Sequence, residues 1–98
     1  MSTPYTFHAD PGHGWLAVPI AEIVALGIAG QISSYSYMKG DTAYLEEDCD
    51  YSLFFEAKLA KGEKPETITE HTDYESPIRN YPRFSVRGHA LSNNRELF

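Results

Sequence analysis

Apolar residues recur at every second position in some stretches of this chain and at every third or fourth in others. The changes of period mark its elements. Tyr5-Thr6-Phe7-His8 alternates, with Tyr5 and Phe7 on one face and Thr6 and His8 on the other. Gly14 to Val18 repeats the pattern with Leu16 and Val18 inward. Between them Asp10-Pro11-Gly12 reads as a type II turn, proline fixing φ at the second position and glycine accepting a positive φ at the third. This predicts a first hairpin. Pro19 then opens a short helix, with Ile20, Ile23, Val24 and Gly27 at helical spacing and Gly27-Ile28 forming a glycine stop.

A second hairpin is predicted over Ile32–Met38 and Thr42–Glu46, joined at Lys39-Gly40-Asp41. Tyr35 and Tyr37 share one face of its first strand, Ser34 and Ser36 the other, and Tyr44 lies opposite to Ala43 and Leu45. Next comes an acidic step, Glu46-Glu47-Asp48-Cys49-Asp50, and a second helix capped by Asp48 or Asp50. That helix buries Leu53, Phe54, Ala57 and Ala60, carries Lys58 and Lys61 near its end, and stops at Gly62. Glu66 to Thr72 is rich in β-branched residues and reads as a strand. Pro77 and Pro82 make an edge or loop of Ile78 to Phe84. The expected architecture is α+β: one small domain over residues 1–84, two hairpins and two helices on a mainly antiparallel sheet, in the order β-β-α-β-β-α-β. Residues 85–98 are expected to be a flexible tail.

Ninety-eight residues suffice for one modest core, and 42% hydrophobic with 13% aromatic residues is the composition of a folded chain. One cysteine makes no internal disulfide, which suits a reducing cytosol. No apolar run is long enough for a membrane span, and the start does not read as a secretory signal. The location expected is therefore cytoplasmic. The net charge of −6 is unevenly spread: residues 1–76 hold four lysines against thirteen acids, while residues 77–98 hold four arginines against Glu96 alone. So acidic a body repels a phosphate backbone and suits a basic protein partner.

Three clusters carry candidate chemistry. His8, Asp10 and His13 could offer two imidazoles and a carboxylate to a divalent metal, although Asp10 is equally a turn residue bonding the amides after it. Glu46, Glu47, Asp48 and Asp50 read as a helix start with a solvated acidic face, or as an acidic docking face. Asp48, Asp50 and Ser52 imitate the start of a calcium loop, but apolar Phe54 and Leu59 fall at or beside positions where that loop needs glycine and a closing acid. Cys49 among these acids is a poor nucleophile, its thiolate disfavoured by like charge. Arg79 and Arg83, with His71, could grip a phosphate or carboxylate. Their ordinary role is pairing with acids of the body.

Asp10 to Leu16, Tyr35-Ser36-Tyr37, and Tyr44 to Asp50 with Phe54 and Ala57 together resemble a family of small uncharacterised proteins carried by bacteriophages, prophages and plasmids. The resemblance covers about residues 5 to 84 and brings no catalytic residue or cofactor. It implies a cytosolic accessory product of a mobile element, a class that includes inhibitors of host defence. The function expected is a non-enzymatic binding protein. It would press Glu46, Glu47, Asp48, Asp50, Tyr35, Tyr37 and Tyr44 against a basic surface of a host protein or complex, without binding nucleic acid directly. The alternatives are a nucleotide sequestrant or small metal-dependent hydrolase built on His8, Asp10, His13 and the C-terminal arginines, and a structural homodimer.

Overall fold

The computed structural model describes residues 4–85. Five strands form one sheet: β1 (Tyr5–Ala9), β2 (Gly14–Pro19), β3 (Tyr37–Lys39), β4 (Thr42–Glu46) and β5 (Thr67–His71), in spatial order β3-β4-β2-β1-β5. Three neighbouring pairs are antiparallel, and β5 adds to the edge of β1 in parallel. Helices α1 (Ile20–Ala25) and α2 (Tyr51–Ala60) complete the α+β fold in the expected element order.

Strand β2 lies at the centre and is buried on both faces. Leu16 and Val18 face the helices with Ala43 and Leu45 of β4, and meet Ile20, Ile23 and Phe54 in the core. Tyr5 and Phe7 extend this layer, their rings standing edge-on to Phe54 and Tyr51. Burying Phe54 completely removes a large apolar ring from water, a gain of about 1.5–3 kcal/mol. Of the four residues expected on the buried face of α2, Phe54 is buried, Leu53 and Ala57 are half-buried and Ala60 is exposed. Behind the core Lys58 reaches Glu22 of α1 and Glu63, each at 2.5 Å, and these partners raise its pKa.

Both helices end as their sequences predict. Gly27 and Gly62 take positive φ, and paired amide–carbonyl bonds close each end: Ile28 N–H to Ile23 C=O with Gly27 N–H to Val24 C=O, and Glu63 N–H to Lys58 C=O with Gly62 N–H to Leu59 C=O. In the second hairpin Gly40, at φ +60°, turns the chain between Lys39 and Thr42.

Other local expectations are corrected. Gly12 does not take a positive φ, so the type II turn is not formed. The Asp10 carboxylate instead accepts the Gly12 and His13 amides and makes the turn itself. Ile32 to Ser36 is not strand; only Tyr37–Lys39 pairs with β4. Residues 82–84 line the outer side of β3 instead, through a Tyr37–Arg83 bridge and bonds from Met38 N–H to Pro82 C=O and Phe84 N–H to Ser36 C=O. Asp50 is the N-cap position of α2, but its side chain does not cap the helix. Apart from Ser85, the tail expected over 85–98 lies outside the described residues.

Candidate functional site

The sheet face away from the helices carries Trp15, Tyr37 and Tyr44, and the chain from Thr72 to Phe84 crosses it. What pins that crossing is Asp10. Its buried carboxylate receives the Arg79 guanidinium in a two-pronged grip, Nε to Oδ2 at 2.6 Å and Nη2 to Oδ1 at 2.9 Å. It also accepts the amides of Gly12, His13 and Ser76 at 2.9–3.0 Å. Arg79 above all, and then these amides, hold the Asp10 carboxyl far below the ordinary carboxylate range, against the opposing effect of burial. A Cβ at position 12 would stand 2.9 Å from Arg79 Nη2 and would press on the guanidinium in this grip.

Beside this knot opens a pocket of about 440 Å³. Trp15 lines it, 2% exposed, with the Arg79 guanidinium 5.4 Å from its ring and Tyr37 edge-on at 6.2 Å. Arg83 lies 4.7 Å over the Tyr37 ring and donates from Nη1 to the Ser34 carbonyl. Tyr35, 64% exposed, also lines the pocket. The indole N–H of Trp15 is buried and has no acceptor among the described residues.

Acids line the pocket as well: Glu46, the cross-strand partner of Trp15, and Asp48 belong to its lining, while Glu47 lines a separate pocket with Phe7 and Tyr51. The side chains of His13, Glu46, Glu47 and Asp48 bring one ligating atom each within 4.8 Å of one another. Glu46 is buried: Oε1 accepts the Asp48 and Cys49 amides, while Oε2 lies 3.6 Å from His13 Nδ1. Glu47 and Asp48 are exposed and make no ion pair with lysine or arginine among the described residues. Cys49 is exposed, and its thiol pKa is raised by partial burial first and then by Glu46, Asp50 and Asp48. A thiolate nucleophile is therefore disfavoured here.

Asp50 has another task. Its carboxylate accepts the Ser33 amide and hydroxyl and the Ser36 hydroxyl, and the Ser36 oxygen in turn accepts the Glu46 amide. This buried knot ties the loop before β3 to the start of α2 and places Tyr35 at the pocket. Of the four acids grouped by sequence, then, Glu46 and Asp50 are inside and hydrogen-bonded, and Glu47 and Asp48 meet solvent. Of the three tyrosines, Tyr35 is exposed. Tyr37 and Tyr44 are half-buried partners across β3 and β4.

The other sequence groupings divide in space. His8 lies 3.8 Å from Glu70 and lines a second pocket of about 240 Å³ with Tyr44, His71 and Tyr81, whereas His13 lines the first. The Asp10 carboxylate between them in sequence is filled by Arg79 and three amides. Arg79 and Arg83 share the first pocket. His71 belongs to the second, its Nε2 3.3 Å from Asp73. Trp15 was not singled out by sequence as a site residue, although alternation places it opposite to Leu16 and so on the far face of β2.

The fold and site together define a small α+β domain with a mixed sheet and an aromatic pocket of both charge signs. Comparison with protein-family models, curated proteins and solved structures found no match to this chain. Among the described residues no helix is long and apolar enough to cross a membrane.

Proposed function

We propose that this protein is a non-enzymatic binding protein that captures a basic partner protein at the face around Tyr35. One observation carries the reading: Glu46, Glu47 and Asp48 converge beside a pocket lined by exposed Tyr35, with no lysine or arginine paired to them among the described residues. Such a field raises the encounter rate with a positive surface, and an exposed tyrosine anchors the docked complex. Glu47 and Asp48 supply the steering charge. Asp50 and Asp10 act inside the fold, holding Tyr35 and Arg79 in place. The resemblance to mobile-element proteins supports a host protein as the partner and a cytoplasmic site of action.

The test is capture from host lysate and its salt dependence, comparing the natural protein with a Glu47→Lys, Asp48→Lys double variant and with Tyr35→Ala. Capture should fall sharply in both, and the charge-reversed protein should lose most of its salt sensitivity. Unchanged capture and salt response in the double variant refute the proposal. A second reading, a homodimer, is supported by β5, an edge strand whose five residues are all exposed. Light scattering showing a dimer that Ile68→Lys dissociates would favour it.

A further inference from the structure

The partner-binding reading names a face; the chemistry of the pocket names what enters it. Arg79 is neutralised by Asp10, which leaves Arg83 as the arginine of the pocket with N–H groups to spare: among the described residues its one hydrogen bond is to the Ser34 carbonyl. Trp15, in the same lining, adds a second donor, an indole N–H that is buried and has no acceptor among the described residues. These donors call for an oxyanion. Yet Glu46 and Asp48 line the pocket too, and Glu47 stands with them, so a simple phosphate or carboxylate would meet more negative than positive charge. A ligand that satisfies both the donors and the acids carries a carboxylate and a cation, with an aliphatic stem for the Tyr35 and Tyr37 rings. The volume of about 440 Å³ falls within the range of ordinary small-ligand sites, roughly 300–1,000 Å³.

We infer that this pocket binds a basic amino-acid unit, its carboxylate on Arg83 and the Trp15 N–H and its basic side chain among Glu46, Glu47 and Asp48. The unit is supplied either as a free amino acid or as the C-terminal residue of a partner. In the second case the inference deepens the partner-binding reading and rests on it for the identity of the face. The geometry requires both ends, which separates this ligand from a phosphate, an acidic peptide or a bare cation.

Trp15 is the only tryptophan, so nitrogen-15 labelled protein shows one indole N–H resonance. Metal-stripped protein is titrated with L-arginine, an N-acetylated tripeptide ending in arginine with a free carboxylate, the same peptide as its C-terminal amide, and zinc and magnesium ions. The carboxylate-bearing probes should move the indole signal saturably, with the amide about tenfold or more weaker because a charged acceptor is lost. Arg83→Gln should weaken the free-acid probe by a similar factor; Arg83 is exposed and its amide spectrum checks the fold. Trp15→Phe, measured by calorimetry, removes the donor while keeping a ring and should also weaken binding. Equal affinity for arginine and the tripeptide assigns a free amino acid, and tighter binding of the tripeptide assigns a chain terminus. No saturable shift up to ~10 mM, equal binding of acid and amide, or a response to metal ions alone overturns the inference. A silent indole signal with partner capture still lost on charge reversal at Glu47 and Asp48 removes the subsite and leaves the docking face standing. A responsive indole with unchanged capture does the opposite.

Discussion

Replacing Asp10 with asparagine isolates what holds the pocket together. The natural carboxylate is buried and accepts five hydrogen bonds, two from Arg79 and one each from Gly12, His13 and Ser76. Asparagine has almost the same shape, but its NH₂ must replace one oxygen. At Oδ1 it would point at the donors of Gly12, His13 and Arg79 Nη2; at Oδ2 it would point at Ser76 N–H and Arg79 Nε. Either way donors face donors, and the charge opposite Arg79 is gone. Breaking a buried ion pair from one side costs about 3–5 kcal/mol. A domain of this size has only about 5–15 kcal/mol in total. Urea unfolding followed by Trp15 fluorescence should therefore show the midpoint falling by a large fraction with little change in slope. The pH dependence gives an independent check. The folded-state pKa of Asp10 is depressed below its ordinary 3.8, so its stabilising contribution is fully present above that value and is lost as pH falls below it. The variant should lack that part of the acid limb. A loss below about 1 kcal/mol, or an unchanged acid limb, would refute the account of Asp10 as the pin.

Two further outcomes follow from how neighbouring acids are placed. Asp50→Ala strands the Ser33 amide and two hydroxyls and should cost about 2–3 kcal/mol in urea unfolding, whereas Glu47→Ala or Asp48→Ala should change stability by no more than about 0.5 kcal/mol; comparable effects would show the knot to be unimportant. Cys49 is exposed but its thiol pKa is raised, so iodoacetamide should modify it slowly near neutrality at a rate still climbing about pH 9, and a plateau at lower pH would contradict the assignment.

The order of strands and helices was legible because each element is announced by short-range chemistry. Pro19 ends β2 directly before α1, Gly27 and Gly62 take the positive φ that ends a helix, and Gly40 takes the one that closes a hairpin; such preferences act within a few residues. Alternation likewise fixed which side of β2 meets the core. Where a long-range partner decided the matter, the sequence was silent. The strand expected over Ile32–Met38 shrank to Tyr37–Lys39 because Ser33 and Ser36 turn toward Asp50, and the edge beside β3 is taken by residues from the other end of the chain. Glu46, Glu47, Asp48 and Asp50 look alike in a row. Ser33 and Ser36 draw Asp50 inside and the Asp48 and Cys49 amides hold Glu46, while among the described residues no such donors reach the other two. Asp10 and Arg79 are 69 residues apart, and no local pattern announces their meeting. A carboxylate's character depends on the donors that surround it, and in this protein most of those donors arrive only when the chain has folded.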